Sequence, residues 1–316
     1  MGGEPMTRYK MWFFLYLKGL AMGAADVVPG VSGGTIAFIT GIYEELIQSL
    51  KNISWASLLV LKNEGIPAFW RAINGTFLLV LLLGIGTSLI TLAHVITHLL
   101  DHYPVLLWSF FFGLIVASAV MVSKKLNSWN TSVIFSILLG AGIAYTVTVL
   151  SPSKGSESLL LVFVSGAIAI CAMILPGISG AFILLLMGMY APMITALKTL
   201  KMDVVLVFMA GCASGLIAFS RVLSWMFKHF PNQTIGLLSG FMIGSLNKVW
   251  PWKLTIESWT DHHGKVIPLV QQNISPLNYE ALTTQSSHLF YAAIIIVLSF
   301  SSILLLEKCG HKKKEA

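Results

Sequence analysis

Charged residues are scarce in this chain of 316 residues, because only 10% are Asp, Glu, Lys or Arg while 56% are hydrophobic. Ordinary soluble domains carry about 25% charged residues. Charges this few cannot cover a surface that faces water, which excludes an ordinary soluble domain. We therefore expect lipid to be the solvent for most of the chain.

Cysteine is also rare, and its three positions, Cys171, Cys212 and Cys309, are too far apart in sequence for a metal or redox motif. No segment resembles a nucleic-acid-binding module, so we expect no nucleic-acid partner. The net charge of +7 instead indicates how the chain is oriented in the membrane, since Lys and Arg collect in the cytoplasmic loops of membrane proteins.

Long apolar runs, by contrast, are abundant. A spanning helix needs about 20 apolar residues. Six runs have about that length and predict six transmembrane helices, near 75–99, 105–123, 131–150, 204–227, 234–250 and 288–306. Polar loops are expected at 51–74 and 251–287.

Two further apolar runs, 11–50 and 158–197, are each interrupted by the sequence Pro-Gly-x-Ser-Gly, at 29–33 and 176–180. Proline removes a backbone donor and glycine loosens a helix. We interpret each run as a re-entrant helical hairpin of two pieces, which enters and leaves on one side. Such irregular backbone is tolerated at membrane depth only inside protein or beside a water-filled cavity.

The two broken runs resemble each other. A shift of 147 residues places 29–50 on 176–197 with nine identities in 22 positions, and a shift of 127 continues the likeness from Gly84 to Ser118. We predict two repeats, 8–150 and 158–310, each with one hairpin and three spans. Each repeat crosses the membrane three times, which is an odd number. The second repeat therefore starts on the opposite side and is expected to be inverted relative to the first. The predicted fold is an all-α integral membrane protein with inverted repeats.

The positive charges favour one orientation. With the N-terminus and C-terminus in the cytoplasm, twelve Lys and Arg residues lie in cytoplasmic segments and six in external ones. The opposite orientation would reverse this ratio. Inverted repeats with broken helices are typical of secondary transporters, whose site lies where the broken helices meet.

The segments that interrupt the two runs are candidates for an anion site. We call residues 29–35 the first tip and residues 176–180 the second tip. Glycine exposes backbone N–H groups, and each tip begins a helix whose positive dipole end attracts an anion. The alternative is that Pro and Gly only make a tight, well-packed turn. The candidate substrate-binding residues are Gly30, Ser32, Gly33, Gly34 and Thr35 in the first tip and Gly177, Ser179 and Gly180 in the second.

Arg221 is a further candidate, because it lies inside an apolar span, where an arginine costs about 2.5–3.5 kcal/mol. Its guanidinium suits phosphate. A snorkelling arginine or one paired with a carboxylate is the alternative. Asp26, Glu44 and Glu45 have no acidic counterparts in the second repeat. They are candidates for proton or cation coupling or for orienting Arg221, although Glu44 and Glu45 fit the membrane interface equally well.

Two other motifs suggest different chemistries. Gly-x-Ser-Gly at 30–33 also resembles the motif of rhomboid intramembrane proteases, with His94 or His98 as the base of a nucleophilic serine. The motif occurs twice, however, where a hydrolase needs one serine, so we expect no catalytic residues. His94, His98 and His102 have a spacing that can bind a metal, but their repeat partners do not, so we expect no metal and no cofactor.

The sequence of residues 23–46, GAADVVPGVSGGTIAFITGIYEEL, resembles the N-terminal signature of bacterial undecaprenyl-phosphate translocases of the PopT type, a family long filed as one of unknown function. Residues 175–180, 219–225 and 244–252 support the resemblance, which covers about residues 8–306.

The resemblance implies a lipid translocase of the bacterial cytoplasmic membrane. Its substrate would be undecaprenyl phosphate, returned from the outer to the inner leaflet for reuse in peptidoglycan and other envelope polymers. The lipid tail stays in the bilayer while the anionic head group crosses, so no covalent catalysis is needed. A secondary transporter of a small soluble anion would use the same tips and is the first alternative. Neither the residues nor the resemblance fixes an oligomeric state.

Overall fold

The computed structural model describes residues 8–28, 31–124, 126–150, 158–260 and 266–312. In chain order the elements are α1 (Arg8–Val27), α2 (Gly33–Ile39), α3 (Tyr43–Asn52), α4 (Trp55–Glu64), α5 (Ile66–Ala72), α6 (Gly75–His102), α7 (Pro104–Lys124), α8 (Thr131–Val149), α9 (Leu159–Ile174), α10 (Gly180–Leu186), α11 (Tyr190–Lys198), α12 (Met202–His229), α13 (Pro231–Ser245), β1 (Lys253–Thr260), β2 (Val266–Asn273), α14 (Pro276–Thr283) and α15 (Leu289–Lys312).

Four helices within the described residues, α6, α7, α8 and α12, are long and apolar enough to cross a membrane. A fifth span results if α10 and α11, bent by 107° at their break, are taken together. Predicted spans 75–99, 105–123, 131–150 and 204–227 are therefore confirmed in length. The other two are shorter, because α13 has 15 residues and the apolar part of α15 is Leu289–Leu305.

The apolar residues of these helices lie largely on the outside. Only 11% of the apolar window of α12 and 17% of that of α8 are buried, against 72% for α7. Leu206 and Met209 on α12, for example, are exposed. An outer surface this apolar indicates contact with lipid, so the chain is a multi-pass membrane protein with α7 at its centre.

Each broken run contains three helices rather than the two predicted. The short helices α2 and α10 have seven residues each. Helix α2 ends at Ile39 and α10 at Leu186, and each is followed two positions later by a glycine, Gly41 or Gly188, whose φ angles of 74° and 66° are positive. Glycine adopts this left-handed conformation without a steric penalty, which is why it ends helices. In both cases the N–H after the glycine bonds to the carbonyl five residues earlier, at 3.0 and 2.8 Å.

The helix packing recurs at the spacing of the sequence likeness. Helix α1 packs on α6 and α9 on α12, while α7 packs on α15 and α13 on α8. A Cβ on Gly84 would collide with the Tyr16 carbonyl oxygen, and one on Gly211 with that of Phe163. These two contacts are related by the same shifts of 127 and 147 residues.

The ends of the longest helices also match. Helix α6 ends at His102, whose Nδ1 lies 2.9 Å from the His98 carbonyl oxygen. Helix α12 ends at His229, whose Nδ1 lies 3.0 Å from the Trp225 carbonyl oxygen. Proline then begins α7 and is the first residue of α13, a position where its missing N–H costs nothing.

Both predicted polar loops contain secondary structure. The segment 51–74 holds α4 and α5, and 251–287 holds β1, β2 and α14. The described structure is mainly helical, in agreement with the predicted all-α class, and its β1 and β2 add one small two-stranded antiparallel sheet with Lys253 opposite Asn273. Asn273 Nδ2 donates to the Asn247 carbonyl oxygen at 2.7 Å. This hydrogen bond attaches the hairpin to the segment that follows α13.

Candidate functional site

The two tips are in direct contact. Ser32 Oγ donates to the Met173 carbonyl oxygen at 2.8 Å. The Gly177 N–H donates to Thr35 Oγ1 at 2.9 Å. Ser32 and Thr35 are fully buried. Two segments that are distant in sequence therefore form a single buried polar junction, as expected for broken helices that meet.

Within the first tip, most polar groups already have partners in the chain. Ser32 is the N-cap of α2, and its Oγ accepts from the Gly34 N–H at 3.0 Å. A Cβ on Gly34 would collide with the Ile174 carbonyl oxygen. Close packing of the two tips therefore accounts for Gly34. Gly30 lies outside the described residues.

Asp26 occupies the anion position at the start of α2. Its Oδ1 accepts from the Gly33 N–H at 2.7 Å, and a Cβ on Gly33 would lie 2.6 Å from Asp26 Oδ2. At the other end of α2, Lys18 Nζ donates to the Thr40 carbonyl oxygen at 2.8 Å. A carboxylate at the N-terminus and an ammonium at the C-terminus both complement the helix dipole. Both ends of α2 therefore already have a side chain of the opposite charge.

The second tip lacks these charges. Met173 and Ser165 stand where the first run has Asp26 and Lys18. Ser179 caps α10, and its Oγ accepts from the Phe182 N–H at 3.5 Å, which is long for a hydrogen bond.

Donors also remain free at the second tip. Among the described residues, no acceptor is bonded to the N–H groups of Gly180 and Ala181. Helix-start N–H groups without an intrahelical acceptor are the donors that an anion uses. Of the two tips, the second is therefore the one with donors available for an anion.

Arg221 is exposed on α12 and, within the described residues, makes no hydrogen bond or ion pair to either tip. It lies one helical turn before Ser224, whose Oγ accepts from Lys51 Nζ at 3.0 Å. Helix α12 packs on α3 in this region. Arg221 therefore borders the junction between α12 and α3 rather than the junction between the tips.

The other two acidic candidates also lie away from the tips. Glu44 and Glu45 are exposed in the first turn of α3. Glu45 Oε1 accepts from Asn74 Nδ2 at 3.0 Å. Neither glutamate forms a hydrogen bond with a described tip residue, so Asp26 alone of the three acidic candidates contacts a tip.

The tip serines have no base among their described partners. Ser32 Oγ bonds only to backbone groups, the Met173 carbonyl and the Gly34 N–H. Ser179 Oγ accepts from a backbone N–H. A serine nucleophile requires a side chain that removes its proton, whereas both serines cap helices and Ser32 also joins the first run to the second.

Sequence reasoning treated Lys248 and Lys253 only as external charges. Lys248 Nζ lies 4.1 Å from the centroid of the Phe182 ring, at the start of α10. Both lysines are partly buried. The signal that was overlooked is the alternation of these lysines with Trp250 and Trp252, since aromatic rings can stabilise a desolvated cation.

Known proteins resemble this chain along nearly its whole length. A protein-family model described as "VCA0040-like: Undecaprenyl phosphate translocase-like" matches residues 22–267. A polyprenyl-phosphate transporter of Vibrio cholerae is 48% identical over 312 residues, which cover 99% of this chain and 100% of that protein. A polyprenyl-phosphate transporter of Staphylococcus aureus is 32% identical over 256 residues, 74% of this chain and 85% of that protein.

No solved structure matches the chain. The family match nevertheless includes both tips, α12 and α13. Together with the full-length similarity to the Vibrio cholerae protein, it confirms the resemblance that residues 23–46 indicate. The chain belongs to the VCA0040-like family, the undecaprenyl phosphate translocase-like proteins.

Proposed function

We propose that this protein returns undecaprenyl phosphate from the outer to the inner leaflet of the bacterial cytoplasmic membrane, where the lipid carrier is reused for envelope synthesis. The observation that carries the proposal is the buried junction of the two tips, with Thr35 bonded to the Gly177 N–H. The names of both relatives and the family description support the substrate. Moving the head group alone requires a polar path through lipid and no covalent step.

The proposed architecture consists of two inverted repeats, 8–150 and 158–310, each with a re-entrant hairpin. The recurring contacts, Gly84 with Tyr16 and Gly211 with Phe163, support the repeats. The bend of 107° between α10 and α11 supports a re-entrant hairpin. The charge count supports cytoplasmic N- and C-termini. In this arrangement the tips approach the middle of the membrane from opposite sides.

The head group is proposed to meet the second tip first. There the N–H groups of Gly180 and Ala181 and the hydroxyl of Ser179 are donors beside a helix start that no carboxylate occupies. Gly177 and Thr35 hold the second tip against the first. Arg221, on the cytoplasmic half of α12 in the proposed orientation, provides a bidentate cation towards which the phosphate leaves.

Asp26 is proposed to link transport to protons. Its carboxylate holds the Gly33 N–H at 2.7 Å, the position that a phosphate oxygen would take at the first tip. Protonation removes the negative charge and weakens this hydrogen bond, because bonds to a charged acceptor are roughly twice as strong as neutral ones. The head group then replaces Asp26 at Ser32 and Gly33, and deprotonation of Asp26 expels it.

The function is tested by the amount of undecaprenyl phosphate exposed on the outer surface of cells, measured with a probe that binds the head group. The cells are depleted of this protein and lack other translocases of this lipid. Exposure should rise on depletion and fall again when wild type is restored. Expression of Arg221→Ala should lower the exposure only weakly. The matched control Arg71→Ala, at an exposed arginine of α5, should lower it as wild type does.

Two outcomes would count against this account. Exposure that does not change on depletion would remove the lipid substrate and favour transport of a small soluble anion through the same tips. Full restoration by Arg221→Ala would leave the lipid substrate in place but remove the proposed role of Arg221.

A further inference from the structure

A cavity of about 370 Å³ lies between the end of α8, the start of α10 and the β-hairpin. Its walls include Thr148, Phe182, Lys248, Lys253 and Gln271. Phe182 is the third residue of α10, so the cavity borders the second tip. In the proposed orientation the ends of α8 and α13 lie at the outer face, and the cavity lies there as well.

Two lysines and no carboxylates line this cavity among the described residues. Lys248 Nζ lies 4.1 Å from the Phe182 ring centroid, and Lys253 Nζ lies 3.4 Å from that of Trp108. Lys253 Nζ also donates to the Lys248 carbonyl oxygen. Aromatic faces and one carbonyl only partly replace the water that a buried ammonium loses. Two adjacent ammonium groups without an acid leave a site that favours an anion.

Hydrogen bonds fix the polar wall in place. Asn247 Nδ2 donates to Thr148 Oγ1 at 2.7 Å, which joins the segment after α13 to α8. Asn273 Nδ2 donates to Asn247 Oδ1 at 2.9 Å, which joins the β-hairpin to the same segment. The lysines are thus presented by a wall that three elements hold together. Such preorganisation lowers the entropic cost of binding.

We propose that this cavity captures a phosphate monoester at the outer face, with Lys248 and Lys253 as its cationic ligands. The assignment rests on the proposed function and extends it, because it places the first contact of the head group before the second tip. Phe182, shared by the cavity wall and α10, connects the two places. Both lysines are partly buried, so their charges act with less screening than on a free surface.

The apolar part of the wall indicates a lipid phosphate rather than a free one. Val149, Leu150 and Ile256 also line the cavity, and each of these side chains is 54% exposed. An open apolar rim beside two cations matches an isoprenoid tail attached to a phosphate. Free phosphate would use the lysines alone.

The test measures ligand binding to the full-length protein in phosphatidylcholine nanodiscs through its tryptophan fluorescence, because Trp108 lies against Lys253. The probes are farnesyl phosphate, farnesol and inorganic phosphate. Wild type should bind farnesyl phosphate, should not bind farnesol, and should release farnesyl phosphate when inorganic phosphate is in excess. Lys248→Gln should weaken farnesyl phosphate binding by about tenfold or more, because it removes a charge-assisted contact.

Lys248→Gln is the cleaner variant, because its ammonium makes no hydrogen bond to a described residue, whereas Lys253 donates to the Lys248 carbonyl. Lys198→Gln is the matched control, since Lys198 is exposed at the end of α11, and it should bind as wild type. The thermal unfolding temperature of each variant confirms that it is folded.

Two results would overturn the inference. One is unchanged farnesyl phosphate affinity in folded Lys248→Gln and Lys253→Gln. The other is lysine-dependent binding of inorganic phosphate without binding of farnesyl phosphate, which would identify free phosphate as the ligand. Failure of the proposed function is seen separately, in the cell assay. There, exposure of the lipid would neither change on depletion nor change when the protein is restored.

Discussion

Thr35 and Gly177 are 142 positions apart in the chain, and the Gly177 N–H donates to Thr35 Oγ1 at 2.9 Å. Thr35 is fully buried, and Gly177 adopts a φ of 89° that favours glycine. This hydrogen bond fastens one tip to the other. Together with the hydrogen bond from Ser32 Oγ to the Met173 carbonyl oxygen, it sets the geometry of the proposed head-group path.

Thr35→Val should destabilise the protein by about 1–3 kcal/mol, because it leaves the buried Gly177 N–H without an acceptor while keeping the shape of the side chain. Transport should fall as well. The control is Thr91→Val, since the Thr91 hydroxyl is exposed and donates within its own helix at 2.7 Å. Thermal unfolding in detergent measures both variants, and equal unfolding temperatures would contradict the importance of the junction.

Gly84→Ala should destabilise the contact between α1 and α6 by about 1–3 kcal/mol, the usual cost of overpacking. A Cβ on Gly84 would collide with the Tyr16 carbonyl oxygen, whereas one on Gly86 would meet nothing within 4 Å. Gly86→Ala, two residues away in the same helix, should therefore cost nothing. The free energy of unfolding in detergent is compared for the two, and equal values would show that the close packing is not needed.

Asp26→Asn should make transport insensitive to the pH gradient. The amide oxygen still accepts from the Gly33 N–H, but the side chain no longer titrates. The rate of head-group return is measured in proteoliposomes with and without an imposed gradient. Glu64→Gln, at an exposed acid of α4, should respond as wild type. An equal response of Asp26→Asn and wild type would rule out coupling through Asp26.

Anion binding at the outer cavity should weaken as pH rises. Burial and the neighbouring charge of Lys248 hold the pKa of Lys253 well below its usual range. Lys253 therefore loses its positive charge at a lower pH than a solvated lysine.

The ligand does not account for this pH dependence, because the second pKa of a phosphate monoester is about 6 and its charge is constant in this range. Farnesyl phosphate affinity, measured from about pH 7 to about pH 10, should fall in wild type and change less in Lys253→Met. An affinity that is flat or increases in wild type would contradict the role of Lys253.

The helices that face lipid were predictable from the sequence because length and hydropathy alone determine them. The tips were predictable because Pro-Gly-x-Ser-Gly occurs twice at a fixed spacing. The break after α2 and α10 was missed, although Gly41 and Gly188 are among the matched positions. A glycine in an apolar run does not reveal its φ angle, and only the structure shows that it ends a helix.

The roles of charged residues were harder to predict, because they depend on contacts between distant segments. Asp26 was a candidate for ion coupling or for orienting Arg221, and its contact with the Gly33 N–H, seven residues later in its own run, was not foreseen. Lys248 and Lys253 were interpreted as external loop charges, because nothing local in the sequence shows that they line a cavity with Thr148 and Phe182. The β-hairpin of β1 and β2 was interpreted as a loop because its strands are polar.

The central claim, that the protein carries undecaprenyl phosphate between leaflets, is tested most directly with purified protein in proteoliposomes that contain this lipid. A membrane-impermeant phosphatase in the outer solution reports the fraction of head groups that reaches the outer leaflet over time. Wild type should make nearly all head groups accessible, while protein-free vesicles and a Ser32→Trp variant, which blocks the junction of the tips, should stop at about half. Equal fractions in all three would contradict the account.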